Sequence, residues 1–214
     1  MSIISEIISF ILHLDKYLNI FIMNYGIWVY AILFFIILIE TGLVVTPFLP
    51  GDSLIFASAA FAASGVLNLG VLLILLSFAA IIGDTLNYNI GKYLGSKLLL
   101  KGDSKFIKKE HIEKTNSYYD KYGGKTLVLA RFIPIVRTFA PFVAGIGSMK
   151  YKKFISYNAI GGIVWVFIVS MLGYFFGNIS FIKSNFSMIF IFIVIISIVP
   201  IIITAIKGKV ASNN

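Results

Sequence analysis

Cysteine is absent from this chain of 214 residues, which excludes disulfides and thiolate metal sites within it. Histidine occurs only at His13 and His111, the first near the N-terminus and the second in a lysine-rich stretch. Arginine occurs only at Arg131 and Arg137. Acids are few as well, nine against eighteen lysines and arginines, for a net charge of +9. That excess does not point to nucleic acid. Nine of the sixteen lysines fall between Lys92 and Lys125, and such clustering beside apolar runs marks the cytoplasmic side of a membrane protein. The N-terminus lacks both a lysine-rich start and a small-residue cleavage site, so no cleaved signal peptide is expected.

What the chain has in quantity is apolar side chains. They make up 59% of its residues, with a mean hydropathy of +0.96. Several windows approach or exceed the roughly 20 apolar residues that a spanning helix needs. The expected fold is an all-α polytopic membrane protein.

The run Ala130 to Gly147, ARFIPIVRTFAPFVAGIG, holds both arginines. Two cations in so apolar a segment are costly against lipid and tolerable against a cavity, a carboxylate or an anionic substrate. Pro134 and Pro141 each remove a backbone donor, which predicts a broken segment rather than one straight helix. Broken backbone is tolerated at membrane depth only where protein or water surrounds it. This run is therefore read as half of a buried polar site.

Residues 1–22 carry polar side chains at helical spacing among isoleucines, which predicts an amphipathic helix in the interface, with a first spanning helix as the rival. Residues 27–64 read as apolar helix, break, apolar helix, the break holding Pro47, Pro50 and Gly51. Small residues after the break allow close packing. Asp52 is placed to cap the second half-helix. Glu40 has no such explanation, because an acid in mid-segment has no cap or snorkelling route. Residues 66–91 form a span in which Asp84, Asn87 and Tyr88 lie about one turn apart and share one inward face. Gly91 and Gly95 have the spacing for close helix packing. Residues 92–125 form the hydrophilic lysine-rich loop. Residues 126–149 form a second hairpin, 154–176 a clean span, and 186–206 a C-terminal transmembrane helix.

Topology follows from the lysines. Positive charge on both sides of 126–149 puts both ends in the cytoplasm, so that segment enters and returns. Lys207 and Lys209 mark a cytoplasmic C-terminus. Tracing backwards, the hairpin 27–64 opens to the outside. The expected architecture is an inverted repeat of two re-entrant helical hairpins plus transmembrane helices, a recurring plan among transporters. Glu40 and Asp52 on the first hairpin then meet Arg131 and Arg137 on the second.

These residues carry a family resemblance. ETGLVVTPFLPGDSLIFASAAFAASG, GDTLNYNIGKYLG and RFIPIVRTFAPFVAGIGSMKYKKFISYNAIGGIVWV together resemble the bacterial DedA family of inner-membrane proteins, over roughly residues 25–180. That family shares its core domain with the VTT lipid scramblases of autophagy. The resemblance implies facing re-entrant hairpins, a role linked to membrane potential or pH, and lipid-carrier translocation, with undecaprenyl phosphate or phosphatidylethanolamine as substrates. The family's essential acids fall on Glu40 and Asp52 and its essential arginines on Arg131 and Arg137.

The expected function is transport of an anionic lipid. Arginine suits a phosphate because its planar fork donates two parallel hydrogen bonds. Glu40 and Asp52 are candidates to carry a coupling proton, and sodium suits a carboxylate pair equally. The rival within the same fold is a pair of buried ion pairs that only pin the hairpins together. A lipid phosphatase is the enzyme alternative. It needs a nucleophilic histidine beside a basic cluster, and neither histidine neighbours the arginines in sequence, so no catalysis is expected. No cofactor, metal or nucleic acid is expected. The partners are the bilayer, the lipid and the coupling ion, and a homo-oligomer is compatible with the sequence. The topology is open to direct test, since introduced cysteines stand alone. Ser104→Cys and Ser148→Cys should both label from the cytoplasm and Asn178→Cys from outside. Labelling of 104 and 148 from opposite sides would turn the second hairpin into a span and remove the repeat.

Overall fold

A computed structural model describes residues 25–43, 51–101, 123–147, 149–177 and 179. The expected N-terminal helix over 1–22, Pro47, Pro50, most of the lysine-rich loop and the C-terminal span over 186–206 lie outside the described residues. The described chain is all-helical: α1 (Trp28–Gly42), α2 (Gly51–Ala63), α3 (Leu69–Lys101), α4 (Lys125–Ala130), α5 (Pro134–Ile146) and α6 (Tyr151–Phe176). Two stretches are long and apolar enough to cross a bilayer, Leu69–Gly95 and Tyr151–Phe176, of 27 and 26 residues. At about 1.5 Å per residue either exceeds the ~30 Å hydrocarbon core.

Both long helices are apolar on every side, yet their sides differ. On α3, Ile74, Phe78, Ile82 and Leu86 are exposed at four-residue spacing, Ile74 and Phe78 by more than half. Leu72, Leu76, Ala79, Ala80, Asp84, Asn87 and Tyr88 are buried on the other side. On α6, Ile160, Ile163, Val164, Phe167 and Ile168 are exposed while Asn158, Trp165 and Val166 are buried. An outer stripe of large aliphatic and aromatic side chains is unsuited to water and suited to lipid. With the polar groups turned inward, this is the pattern of a membrane protein.

The chain divides into two compact units. In the first (residues 25–35, 51–75 and 167–177 of those described), Asn68 sets the start of α3. Its side chain accepts from the Val71 N–H at 3.1 Å, an N-cap contact, and its own N–H donates to the Tyr30 hydroxyl at 2.7 Å. Gly65 precedes it with φ +77°, a conformation costly to any residue with a Cβ. The helix therefore starts after this turn rather than at residue 66. α2 and α6 pack backbone to backbone in this unit, with Gly173 against Phe56 and Gly177 against Ala60.

The second unit comprises residues 36–43, 76–101, 123–147 and 149–166 of those described. Here α3 and α5 touch through glycine. A methyl group at Gly91 would collide with the Phe142 carbonyl, and one at Gly145 with the Tyr88 carbonyl. A methyl at Gly95 would stand 3.0 Å from the Ile146 Cα, a looser contact. Tyr88 stacks on Phe154, ring centroids 4.3 Å apart, and donates its hydroxyl to the Met149 carbonyl.

Several boundaries differ from expectation. α3 does not stop at residue 91 but runs through the glycines to Lys101, because they serve packing rather than termination. Gly51 and Pro141 were expected as breaks. Gly51 is instead the first residue of α2, and Pro141 lies inside α5. Pro141 removes the donor that would reach the Arg137 carbonyl, yet glycine contacts on α3 hold the helix together around it. The break in the second segment is made by Pro134 alone, at the first position of α5, with Ile133 extended at φ −115°, ψ 108°. Such a residue before proline is held out of the helical region. Gly91→Ala and Gly145→Ala should each destabilise the protein by about 1–3 kcal/mol, the range for overpacking. Both methyls meet backbone that cannot rotate away. Gly70→Ala, whose methyl would face only the Asn68 side chain, should be nearly neutral in a thermal-melting comparison in detergent.

Candidate functional site

The second unit brings four charged side chains into one pocket. Glu40 comes from the last turn of α1, Asp84 from the middle of α3, Arg131 from the break after α4, and Arg137 from the first turn of α5. Thr41, Thr138 and Trp165 complete the lining. Arg137 pairs with Glu40 and Arg131 with Asp84. Glu40 is 2% exposed, Asp84 5% and Arg131 6%. Enclosed charges so apolar in setting persist only when each has a partner of opposite sign, and two cations against two carboxylates leave this set neutral.

Each arginine also has a second, uncharged anchor. The Nη2 of Arg131 donates to Asn158 Oδ1 and reaches the Asn158 carbonyl at 3.5 Å. The Asn158 amide is fixed in turn by donating to the Ile81 carbonyl at 3.1 Å. The Cζ of Arg137 lies 5.0 Å from the centroid of the Trp165 ring, a cation–π contact. Among the described residues, the hydrogen bonds of Arg131 to the protein all run through Nη2, which leaves Nε and Nη1 available as donors. The enclosed part of the pocket has room for roughly one water-sized group. A larger ligand needs it to open.

Asn87 stands behind the site. It is fully buried and donates to the Thr41 carbonyl at 3.2 Å and the Thr138 carbonyl at 2.8 Å. Those are the residues immediately after Glu40 and Arg137, so one carboxamide ties together the two backbones that present that ion pair. Tyr88, the third member of the expected polar face, is buried but serves the packing of α6.

The expectation that the arginines meet acids can be followed within the second unit. Arg137 does meet Glu40, but the carboxylate on Arg131 is Asp84 of the long span. Asp52 belongs to the first unit. It is the second residue of α2 rather than its cap, in the first turn where a negative charge complements the helix dipole. Asn158 and Trp165 were missed by sequence reading. Their signal was a single asparagine and tryptophan seven residues apart in an otherwise uncharged span, with no marker separating them from ordinary packing. Among the described residues no group of histidines and acids is placed to hold a metal.

An all-helical membrane protein with two arginine–carboxylate pairs, one buried and one part-buried, in one pocket is thus the class defined by fold and site. Residues 49–175 match the VTT domain family. The chain is 48% identical to Protein DedA of Escherichia coli (strain K12), over 99% of this chain and 98% of that protein. It is 39% identical to an uncharacterized membrane protein of Mycobacterium tuberculosis (strain H37Rv), over 84% of this chain and 79% of the relative. It is 32% identical to the inner membrane protein YghB of E. coli (strain K12), over 79% and 78%. The chain belongs to the DedA family of VTT-domain membrane proteins. No solved structure matches it.

Removing one member of a buried pair strands the other. Asp84→Leu and Arg131→Leu should each destabilise the protein by about 3–5 kcal/mol. The double variant should lose clearly less than the sum of the two. Chemical-denaturation midpoints in detergent measure this, and strict additivity would mean the two side chains do not pair.

Proposed function

We propose that this protein moves an anionic lipid across the bacterial inner membrane, with undecaprenyl phosphate as the leading substrate, and couples the movement to protons. The observation that carries this reading is the pocket in which each of two enclosed arginines holds a carboxylate and a neutral anchor. A phosphate offers the same geometry to a guanidinium as a carboxylate does, with stronger, charge-assisted bonds. It can replace Glu40 on Arg137, or Asp84 on Arg131, without the arginine having to move.

Exchange has a consequence for charge. The four side chains are neutral as a set, so an arriving anion leaves a carboxylate without its cation in a medium that does not tolerate one. The displaced acid is then stable in its protonated form. Lipid and proton bind with positive coupling, and linkage makes that coupling reciprocal. Glu40 and Asp84 carry the protons in this scheme. Sodium coupling is the alternative, and Asp52 keeps the place that the family resemblance gives it.

The transport plan in this reading is the inverted repeat of hairpins 27–64 and 126–149, with the lysine-rich loop and the C-terminus in the cytoplasm. The break between α4 and α5, which delivers Arg131 beside the start of the helix bearing Arg137, supports it. Phosphatidylethanolamine movement is the alternative substrate reading. We propose no hydrolysis, and a phosphate-release assay on polyprenyl pyrophosphate separates a phosphatase from a translocase.

Purified protein in liposomes with fluorescent undecaprenyl phosphate tests the proposal. Transfer between leaflets should be accelerated by a proton gradient. Arg131→Lys and Arg137→Lys, which keep charge but lose the fork, should each slow transfer about tenfold or more. Glu40→Gln should abolish the response to the gradient while the protein stays folded. Wild-type rates in both lysine variants would leave the ion pairs as structural pins, and indifference to the gradient would leave passive scrambling.

A further inference from the structure

The two arginines share more than a pocket: they lie along one face of one helix. Asn158 and Trp165 on α6 are seven residues apart, about two helical turns. Between them on that face are Gly161 and Gly162. A methyl at Gly161 would stand 3.0 Å from the Cδ and 3.2 Å from the Nε of Arg131, and one at Gly162 3.4 Å from its Nη2. The Arg131 side chain therefore lies across the glycine pair, with its guanidinium gripped by Asn158, while Arg137 stacks on Trp165. The remaining elements of the pocket supply charge: Glu40 from α1, Asp84 from α3, Arg131 from the break and Arg137 from α5. α6 supplies none, and from Phe154 to Phe176 it has no charged residue at all.

We propose that the Asn158–Trp165 face of α6 is a neutral cradle that holds both guanidiniums in place while a phosphate ligand exchanges with their carboxylates, which makes Asn158 and Trp165 positioning residues. This rests on the reading that the arginines receive an anion. The reason is competition. An anchor that is charged contests the ligand for the guanidinium. An anchor that is uncharged orients the guanidinium and leaves its charge available. The Asn158 carboxamide is locked with its oxygen toward Arg131 because its nitrogen is engaged by the Ile81 carbonyl. An aromatic face likewise orients Arg137 without neutralising it. Glycine at 161 and 162 lets the arginine lie flat against the helix, so that the exchangeable side of the guanidinium faces the pocket.

The discriminating variant is Asn158→Asp, nearly identical in shape but anionic. A purely structural asparagine predicts at most a loss of stability, with unchanged affinity. The cradle predicts a second resident carboxylate on Arg131 that outcompetes the ligand. In liposomes carrying fluorescent polyprenyl monophosphate, KM should rise about tenfold or more with a smaller change in maximal rate. Trp165 gives an independent arm that does not depend on how Asn158→Asp folds. Trp165→Leu should raise KM severalfold and Trp165→Phe, which keeps an aromatic face, should largely restore it. If the wild type transports the monophosphate while Asn158→Asp and Trp165→Leu both keep its KM, the cradle is wrong and the anion reading survives. If the wild type does not take the monophosphate at all, the anion reading fails and the cradle with it.

Discussion

A guanidinium cannot give up its charge to escape an apolar environment, and this constraint organises the second unit of the protein. Lysine or a carboxylic acid can be neutralised when buried, whereas arginine must be met by an acceptor. Arg131 is met by Asp84 and Asn158, Arg137 by Glu40 and Trp165. Four separate stretches of chain have to arrive at one place for this to happen. The glycine contacts of α3 against α5, the Asn87 bridge from Thr41 to Thr138, and the Pro134 break all work toward that convergence. Close backbone approach through Gly91 and Gly145 sets α5 against α3. Asn87 then ties α5 to the end of α1 at the residues following the Glu40–Arg137 pair.

Much of this was legible in the sequence because charge is so scarce in apolar segments. An arginine or acid inside a membrane run has few explanations, and each of Glu40, Arg131 and Arg137 stood out for that reason. The proline at 134 was readable as a break because it lacks a donor and restricts the residue before it. Pro141 was misread by the same rule. Proline disrupts a helix that must stabilise itself, but α5 leans on α3 through glycine, and tertiary packing overrides the local penalty. The extension of α3 to Lys101 fits the spacing of Gly91 and Gly95, which reads as a contact surface and is one, because α5 lies on it.

The pairing of Arg131 was harder to read. The spacing puts Asp84 on an inward, supporting face, but the sequence sets the acids of the first hairpin against both arginines, because opposite charges are expected where two hairpins meet. Linear spacing is a weak guide to pairing: Asp84 and Asp52 are 47 and 79 positions from Arg131, both far beyond any local contact, and Asp84 is the one it meets. Asn158 and Trp165 are a different kind of omission. Neutral anchors leave no signature in charge or periodicity, since an asparagine or tryptophan in a span is commonly explained by packing.

The distinction between charged and neutral anchors gives the site its chemical sense. Two ion pairs alone would be a static device, because removing either carboxylate frees its arginine both electrostatically and mechanically. With Asn158 and Trp165 in place the two losses separate. In the proposed exchange the carboxylate leaves and the arginine stays oriented, its position set by α6 and its charge unmet. On that proposal, an oriented, unmet guanidinium in an apolar pocket is a strong demand for a phosphate, and the freed carboxylate is an equally strong demand for a proton. Both demands arise from one event and act on opposite charges. In the transport reading proposed above, a neutral resting site opened only by bringing in an anion and a cation together would couple the two rather than leak either alone.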